Sequence, residues 1–305
     1  MEGTMKHIRP TRWLATILGA MLTASLSIVA AQASDQGKLT EEFHQTYQLS
    51  PQGRIELDNL NGAVHISSWD RNEVKVDAIK RARSKERLDE ARIIVDSTAS
   101  LLSIRTQYPN HDHDFWNDGR HDNPASVEYT LTVPRMARLD EIKLVNGGLD
   151  VRDLSGEVRA SCVNGRIVAQ NLQGPAKLNT VNGELEASMG QLSPSSSSLE
   201  FSSVNGALRI TLPSDAKANL EANTVSGNIS DDFGLPITHH QLVGRSLRGE
   251  LGGGGTPVRL SNVNGEIEIL HANDNRPLSP AKNLERDRSR SHDNDDDDDD
   301  DDSDI

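Results

Sequence analysis

Apolar and polar residues alternate along a stretch of this chain that repeats every nine residues. The repeat is marked by glycines, each nine residues from the last, at Gly147, Gly156, Gly165, Gly174 and Gly183. Apolar residues stand two before, two after and four after every one of them, and the residues between are mostly charged. Alternation with a period of two is typical of a strand with one buried face. Each unit therefore predicts one short strand and one glycine turn.

The turns are of two kinds. Asn146, Asn164 and Asn182 precede every second glycine, whereas Ser155 and Gln173 take that place between them. The structural unit is then eighteen residues, with two strands and two different corners. Units that bury their apolar face only against their neighbours form a solenoid. We predict an all-β, single-stranded, β-helix-like solenoid of short strands with Asn-Gly turns; a meander of Asn-Gly hairpins is the alternative.

Val-Asn-Gly returns beyond the regular region, so the same corner is expected there. The structural turn residues are Asn146, Gly147, Asn164, Gly165, Asn182, Gly183, Asn205, Gly206, Asn264 and Gly265. We expect the valine to face the core, the glycine to turn the corner, and the asparagine to hydrogen-bond with its copies one coil away. Gly165→Val should damage folding because the turn requires backbone angles that β-branched residues avoid. Cys162, beside one such turn, is expected to point outward.

The region before the repeat is less regular. EVKVDAIKRA predicts a strand, and SKERLDEARIIV predicts a short helical turn that leads into another strand. Two further strands, around Leu102–Tyr108 and Val127–Val133, flank the polar segment PNHDHDFWNDGRHDNP.

The two ends of the chain differ from the domain between them. Residues 1–33 predict a signal peptide: basic residues, an apolar run and Ala31-Gln32-Ala33 as a cleavage site, with a membrane anchor as the alternative. The β-strand-repeat domain is assigned to residues 34–275. Residues 276–305 predict a disordered linker and an acidic tail. The carboxylates of the unbroken run Asp295–Asp302 repel one another, and the run has no apolar side chain to bury.

Charge and cysteine content narrow the class of protein. Ten aspartates of the tail hold most of the formal net charge of -14. The remaining body is mildly acidic without a basic patch, which argues against nucleic acid as a partner. With one cysteine, an internal disulfide is excluded, so stability must come from a core.

The chain resembles a known family. NGAVHISSWDRNEVKVDAIKRA, LLSIRTQYP, VEYTLTVPR and the repeated Val-Asn-Gly strands are similar to the bacterial toast-rack, or adhesin-like, family of β-strand-repeat domains. The similarity covers roughly Ile55 to Ile269. It implies a single-stranded, β-helix-like fold in envelope or extracellular proteins, with roles in adhesion, envelope-stress sensing or scaffolding. It implies no catalytic residues.

Candidate chemistry is concentrated in one segment. His111, Asp112, His113, Asp114 and His121 are residue types that bind zinc, copper or nickel, although their spacing in a loop imposes no ligand geometry. The alternative is a polar loop that binds no metal. A divalent cation is the only cofactor that the sequence suggests. Phe115 and Trp116 are candidate partner contacts. Two pairs of adjacent carboxylates are Asp140-Glu141 and Asp231-Asp232. The two members of each pair should point to opposite faces of their strand, whereas the two carboxylates of a glycosidase site must face each other.

These observations favour an exported, non-enzymatic β-solenoid, periplasmic or at the cell surface, that presents a binding or scaffold surface to an envelope protein or glycan. No stable membrane insertion is expected after signal cleavage. The alternative is a periplasmic metal-buffering or metal-sensing protein that uses the His/Asp loop and the Asp tail. A β-helix enzyme acting on polysaccharide ranks third.

Overall fold

The computed structural model describes residues 38–109, 124–192, 198–240 and 243–284. Within these ranges the chain forms one short helix and many strands. The elements are β1 (Leu39–Gln48), β2 (Arg54–Asn61), β3 (Val64–Trp69), β4 (Glu73–Ala82), α1 (Lys85–Glu90), β5 (Arg92–Ser97), β6 (Leu101–Gln107), β7 (Ser126–Pro134), β8 (Arg138–Asn146), β9 (Leu149–Arg152), β10 (Val158–Asn164), β11 (Ile167–Leu172), β12 (Ala176–Asn182), β13 (Leu185–Met189), β14 (Leu199–Asn205), β15 (Leu208–Leu212), β16 (Ala218–Ser226), β17 (Ile229–Asp231), β18 (Thr238–His239), β19 (Arg245–Leu251), β20 (Thr256–Asn264), β21 (Ile267–His271) and β22 (Ala281–Asn283). No helix among the described residues is long and apolar enough to cross a membrane.

The strands form two sheets that face each other across one core. The ten-stranded sheet has the order β1-β4-β7-β3-β9-β11-β13-β15-β21-β17. The twelve-stranded sheet runs β18-β19-β16-β20-β14-β12-β10-β8-β2-β6-β5, and β22 pairs with β19 beside this path. A coil of the solenoid is one strand of the twelve-stranded sheet followed by one strand of the ten-stranded sheet.

The repeat strands pair in parallel with the copy eighteen residues away. Val158 of β10 lies opposite Ala176 of β12, and Ile167 of β11 lies opposite Leu185 of β13. Hairpin strands would instead pair antiparallel with their immediate neighbours. The solenoid prediction is therefore confirmed, and the hairpin meander is wrong for this region.

The stacking order of the coils departs from the order of the sequence at both ends. In space the coils run β6/β7, β2/β3, β8/β9, β10/β11, β12/β13, β14/β15, β20/β21 and β16/β17. The last Val-Asn-Gly coil in sequence, β20/β21, is thus inserted between β14/β15 and β16/β17. Antiparallel strands follow the outer coils: β4 and β1 beside β7, β5 beside β6, and β19 beside β16. The parallel stack is thus capped by strands of opposite direction.

At least two apolar side chains from each strand of the regular repeat, β8 to β13, fill the core. In β11 these include Ile167 and Ala169, and in β10 they include Val158 and Ala160, all of them buried. The predicted strand over 73–82, the helical turn and the strand after it also form, as β4, α1 and β5. Ser84 caps α1, its hydroxyl accepting from the Arg87 backbone N–H at 3.3 Å.

The residue two before each glycine behaves differently at the two kinds of corner. Leu154 and Leu172 are fully buried. The reason is an extra residue in the left-handed conformation just before each leucine, Asp153 (φ 57°) and Asn171 (φ 54°), which shifts the alternation by one position. No such residue precedes the Asn-Gly corners, where strict alternation continues from Val158 and Ala160 to Cys162.

Two expectations about the Asn-Gly corner are consequently wrong. Val163 and Val181 do not face the core; each is 39% exposed and points to solvent. Cys162 does not point outward; it is 2% exposed and packs inside. Both errors have one cause, since adjacent residues of a strand point to opposite faces, so the inward cysteine places the valine outside.

Candidate binding surface

The asparagines of the Asn-Gly corners form a continuous hydrogen-bonded column, which we call the asparagine ladder. The side-chain amide nitrogen of each donates to the amide oxygen of the asparagine one coil away. The distances are 3.0 Å from Asn146 to Asn61, 2.9 Å from Asn164 to Asn146, 2.9 Å from Asn182 to Asn164, 2.9 Å from Asn205 to Asn182, and 3.0 Å from Asn264 to Asn205. Six coils are joined along this edge, which fixes their spacing.

The glycines of the same corners stack in contact with one another. A Cβ on Gly165 would lie well under 3.0 Å from the Gly147 carbonyl oxygen, and a Cβ on Gly183 would meet the Gly165 carbonyl in the same way. Gly165 is not among the residues with positive φ. The requirement for glycine at this position is therefore the close approach of two backbones, and the expected reason, a special backbone angle, is wrong.

An inner polar column supports the corner from the core side. Side chains on adjacent coils each donate to the carbonyl of a corner glycine: Cys162 to Gly147 at 3.1 Å, Thr180 to Gly165 at 3.3 Å, Ser203 to Gly183 at 3.4 Å, Asn262 to Gly206 at 2.8 Å, and Thr224 to Gly265 at 3.3 Å. Burial raises the pKa of the Cys162 thiol. Cys162 thus has the structural role that threonine or serine has elsewhere in the column.

The outward valines form a second column beside the asparagine ladder. In stacking order this valine column is Leu60, Val145, Val163, Val181, Val204, Val263 and Val225. Ten large apolar side chains are exposed among the described residues, and six of them belong to this column. Singly scattered apolar side chains are normal on a protein surface, but a contiguous row of them marks an interaction site.

The surface next to the valine column carries uncharged polar side chains. Ser161, Asn179, Ser202, Ser261 and Asn223 lie opposite one another in register, and we call them the serine–asparagine column. The Ser202 hydroxyl donates to Asn179 Oδ1 at 2.6 Å. Together the asparagine ladder, the valine column and the serine–asparagine column define the valine face. Between β10 and β16, it carries no charged side chain in these three columns.

Charged residues lie beyond the serine–asparagine column and are paired among themselves. Lys177 Nζ lies 2.8 Å from a Glu200 oxygen, and Arg248 lies 2.7 Å from Glu221. Arg259 stands between the two glutamates, 3.8 Å from an oxygen of each. The valine face is consequently bordered by a row of charges that neutralise one another.

A groove of about 560 Å³ lies where the valine column meets the β18–β19 hairpin. Val204, Val263 and Val225 line one side, and Val243 and His240 line the other. The His240 ring lies 3.0 Å from the Ser246 hydroxyl. Asn262 also borders the groove, but its side chain belongs to the inner polar column; it is 4% exposed, and its Oδ1 has no hydrogen-bond partner among the described residues. The groove therefore has an apolar lining, and the unpaired Asn262 oxygen lies on the core side of the strand.

The structure does not test the metal residues expected from the sequence. His111, Asp112, His113, Asp114 and His121, with Phe115 and Trp116, lie outside the described residues, as does the run Asp295–Asp302. Within the described ranges, no group of three or more His, Cys, Asp or Glu side chains could hold a metal ion. The metal site stays a prediction.

Asp231 is the half-buried carboxylate of the expected Asp231-Asp232 pair. Its Oδ2 accepts from the Leu235 backbone N–H at 2.7 Å, and Oδ1 is buried without a partner in the described part of the chain. Burial raises the pKa of Asp231, and backbone hydrogen bonds partly oppose that rise. The bond to Leu235 gives this carboxylate a role in the turn after β17.

The valine face is the feature that sequence reasoning missed. The signal was available: counting in twos from Val158 reaches Cys162 and not Val163, so the valine must lie outside. Reading every apolar residue of the repeat as buried concealed it.

The chain belongs to the toast-rack family, since the family profile described as "Toastrack DUF4097" matches residues 50–270. Similar solved structures include a "putative cell adhesion protein" from Clostridium sporogenes ATCC 15579, with 12% identity, 76% of this chain and 100% of that chain covered, and a TM-score of 0.44. A "putative adhesin" from Bacteroides fragilis NCTC 9343 has 11% identity, 76% and 97% coverage, and a TM-score of 0.36. No curated protein matches this sequence.

Proposed function

We propose that this protein is an exported, non-enzymatic binding or scaffold protein of the cell envelope that engages its partner through the valine face. The observation that carries the proposal is that one column holds six of the ten large apolar side chains exposed in the described part of the chain. The positions that alternate inward supply the core, so the outward valines are free to serve another purpose.

The free energy gained by burying the valine column is small for each side chain, so binding requires a contact that extends over several coils. Full burial of a valine contributes about 1.5–3 kcal/mol, so covering side chains that are about 40% exposed gives roughly 0.6–1.2 kcal/mol each. Six of them supply about 4–7 kcal/mol before the cost of association, which itself is about 4–15 kcal/mol. Hydrogen bonds from the two polar columns are therefore required for useful affinity.

The face is preorganised for binding. Its side chains stand on parallel strands whose spacing is fixed by backbone pairing and by the asparagine ladder. A rigid surface loses little conformational entropy when it is covered, which favours affinity.

The proposed location follows from the ends of the sequence. The features of residues 1–33 support export, and the run Asp295–Asp302 supports a solvated acidic tail; Ala281–Asn283, within the expected linker, instead form β22 and pair with β19. We place the protein in the periplasm or at the cell surface, with an envelope component as partner.

The test compares two surfaces of the solenoid with the same substitution. Val181→Lys combined with Val204→Lys places charges in the valine column. Val168→Lys is the matched control on the ten-stranded sheet, where Asp150 and Glu186 lie on either side in register and accommodate a lysine. Each variant is produced from its own promoter, and its retention by the washed envelope fraction is measured after melting curves show that it is folded.

We expect the double variant to lose at least tenfold in retention and the control to match the native protein. Equal retention of all three proteins would show that the valine face does not hold the partner, and would refute the proposal.

A further inference from the structure

We infer that the valine face binds a neutral polysaccharide chain, laid along the solenoid axis with about one sugar residue for each coil. This inference rests on the proposed function and specifies the chemistry of its partner. Five properties of the face lead to it: spare hydrogen-bonding groups, their spacing, the apolar valine column between them, the absence of charge, and the groove at one end.

The asparagine ladder leaves half of its hydrogen-bonding capacity unused. A side-chain amide has two N–H donors and an oxygen with two lone pairs. Within the ladder Asn164 and Asn182 each donate once and accept once through these groups, so one N–H and one lone pair remain on each. Both residues are exposed. A ligand that fills both places must donate and accept at neighbouring atoms, as a hydroxyl group does.

The spacing of these groups favours a chain of sugars over a peptide. Adjacent strands lie about 4.8 Å apart, so the coils that begin with β10, β12, β14 and β20 each offer one corner amide, one valine and one serine or asparagine at that interval. A pyranose ring linked through opposite positions advances its chain by a similar distance. An extended peptide advances about 3.3 Å per residue and would lose register after one or two coils.

The valine column complements the apolar surface of such a chain. A pyranose ring has C–H groups on its faces and hydroxyl groups at its edge. The valines lie between the asparagine ladder and the serine–asparagine column, so the ring can lie on them while hydroxyls reach polar groups on both sides. Apolar contact with a few placed polar groups is the usual composition of a small-molecule or sugar site.

The charge of the face selects a neutral ligand. The three columns carry no charged side chain between β10 and β16, and the bordering row of Lys177, Glu200, Arg259 and Glu221 is paired internally. The whole chain has a formal net charge of -14. An anionic polymer would meet long-range repulsion with no cation on the face to offset it.

The groove gives the bound chain a defined end. Val243 and His240 form its rim across from Val204, Val263 and Val225. Val204, Val225, Val243 and Val263 give this groove an apolar lining against which the last sugar of the chain can pack. Chain ends are thus expected to bind with internal segments beside them.

The test uses the full-length mature protein and defined oligosaccharides. Calorimetry is performed with cello- and chito-oligosaccharides of increasing length and with β-1,3-glucan oligomers, and oligo-alginate serves as the anionic comparison. We expect affinity for one neutral series to increase at least tenfold between two and six sugar residues. Val181→Lys with Val204→Lys should lower it at least tenfold, and Val168→Lys should leave it unchanged. Asn205→Leu provides a second variant that removes ladder donors without adding charge.

The outcomes separate this inference from the proposed function. Retention in the envelope that depends on the valine face, without binding to any neutral oligosaccharide, overturns the inference and leaves the proposed function standing. Three other results overturn the inference as well. The first is binding to oligo-alginate alone, and the second is retention through the valine face that is lost when the envelope fraction is treated with protease. The third is concentration-dependent self-association through the valine face. Retention unaffected by the double variant removes the proposed function and this inference together.

Discussion

The corner glycines give the sharpest test of how the solenoid is held together, and Gly165→Ala is the smallest perturbation of them. The added methyl group would lie well under 3.0 Å from the Gly147 carbonyl oxygen. The obstacle is backbone, which has no rotamer to change, so the two coils must separate locally. That separation stretches the two bonds that join these coils at the corner, from the Gly147 backbone N–H to the Asn164 carbonyl at 3.0 Å and from the Leu149 backbone N–H to the Arg166 carbonyl at 2.9 Å.

The cost can be worked from these contacts. Overpacking a closely fitted site costs about 1–3 kcal/mol. Weakening two buried backbone hydrogen bonds adds about 0.5–1.5 kcal/mol each. The expected loss is therefore about 2–6 kcal/mol in the free energy of unfolding. For a domain of this size each kcal/mol lowers the melting temperature by about 2–4 °C, so a decrease of about 10 °C is expected.

Gly148→Ala is the control, and thermal unfolding followed by circular dichroism is the assay. A Cβ at Gly148 would have the Arg166 carbonyl at 3.4 Å as its nearest neighbour, an ordinary contact, and its φ is not positive. That variant should melt within about 3 °C of the native protein, because a compatible Gly→Ala change alters stability by under about 1 kcal/mol. If Gly165→Ala has the same melting temperature as Gly148→Ala, the close approach of the corner backbones is not the reason that glycine is needed at position 165.

Three further predictions concern the asparagine ladder, Asp231 and the metal-buffering alternative. Asn182→Ala removes two ladder hydrogen bonds of 2.9 Å and should lower the free energy of unfolding, measured by chemical denaturation, by about 1–2 kcal/mol. The control Gln170→Ala, on the exposed side of β11, should lower it by under about 0.5 kcal/mol. Equal losses in the two variants would mean that the ladder contributes nothing to stability. Burial raises the pKa of Asp231 above its ordinary value of 3.8, so the folded state resists ionisation, and stability is lost as pH rises from the unfolded pKa through the folded one. Asp231→Asn should therefore melt higher than the native protein at pH 7, with the gain disappearing below pH 3.8, and a lower melting temperature at pH 7 would contradict this sign. The metal-buffering alternative predicts a stoichiometric micromolar site for zinc, copper or nickel that His111→Ala with His113→Ala abolishes in calorimetry; affinity weaker than millimolar would reject it.

The repeat itself was predictable because the rules behind it are local. A period of two identifies a strand, a recurring glycine marks a turn, and equal spacing implies stacking. These rules gave the eighteen-residue coil, its two kinds of corner and the vertical alignment of Asn146, Asn164 and Asn182, and the pairing of β10 with β12 shows that coil directly. The same rules located β4, α1 and β5 before the repeat.

The valine face was within reach of the sequence but required a count of residues along each strand. The residue two before each glycine is apolar at both kinds of corner. Only the left-handed residue Asn171, which shifts Leu172 inward, distinguishes it from Val163, which has no such neighbour. An average over the repeat treats these positions as equivalent, and it therefore assigned both to the core.

The sequence by itself determined the coil, since strand, turn and repeat length depend on neighbours a few residues apart. Only the tertiary structure decided which coils touch. The coil β20/β21 lies between two coils that precede it in the chain, and β2/β3 lies inside β6/β7. Because every Val-Asn-Gly coil presents nearly the same edge, local patterns cannot rank one neighbour above another. The choice depends on where the antiparallel strands β4, β5 and β19 close the stack, which is a property of the whole fold.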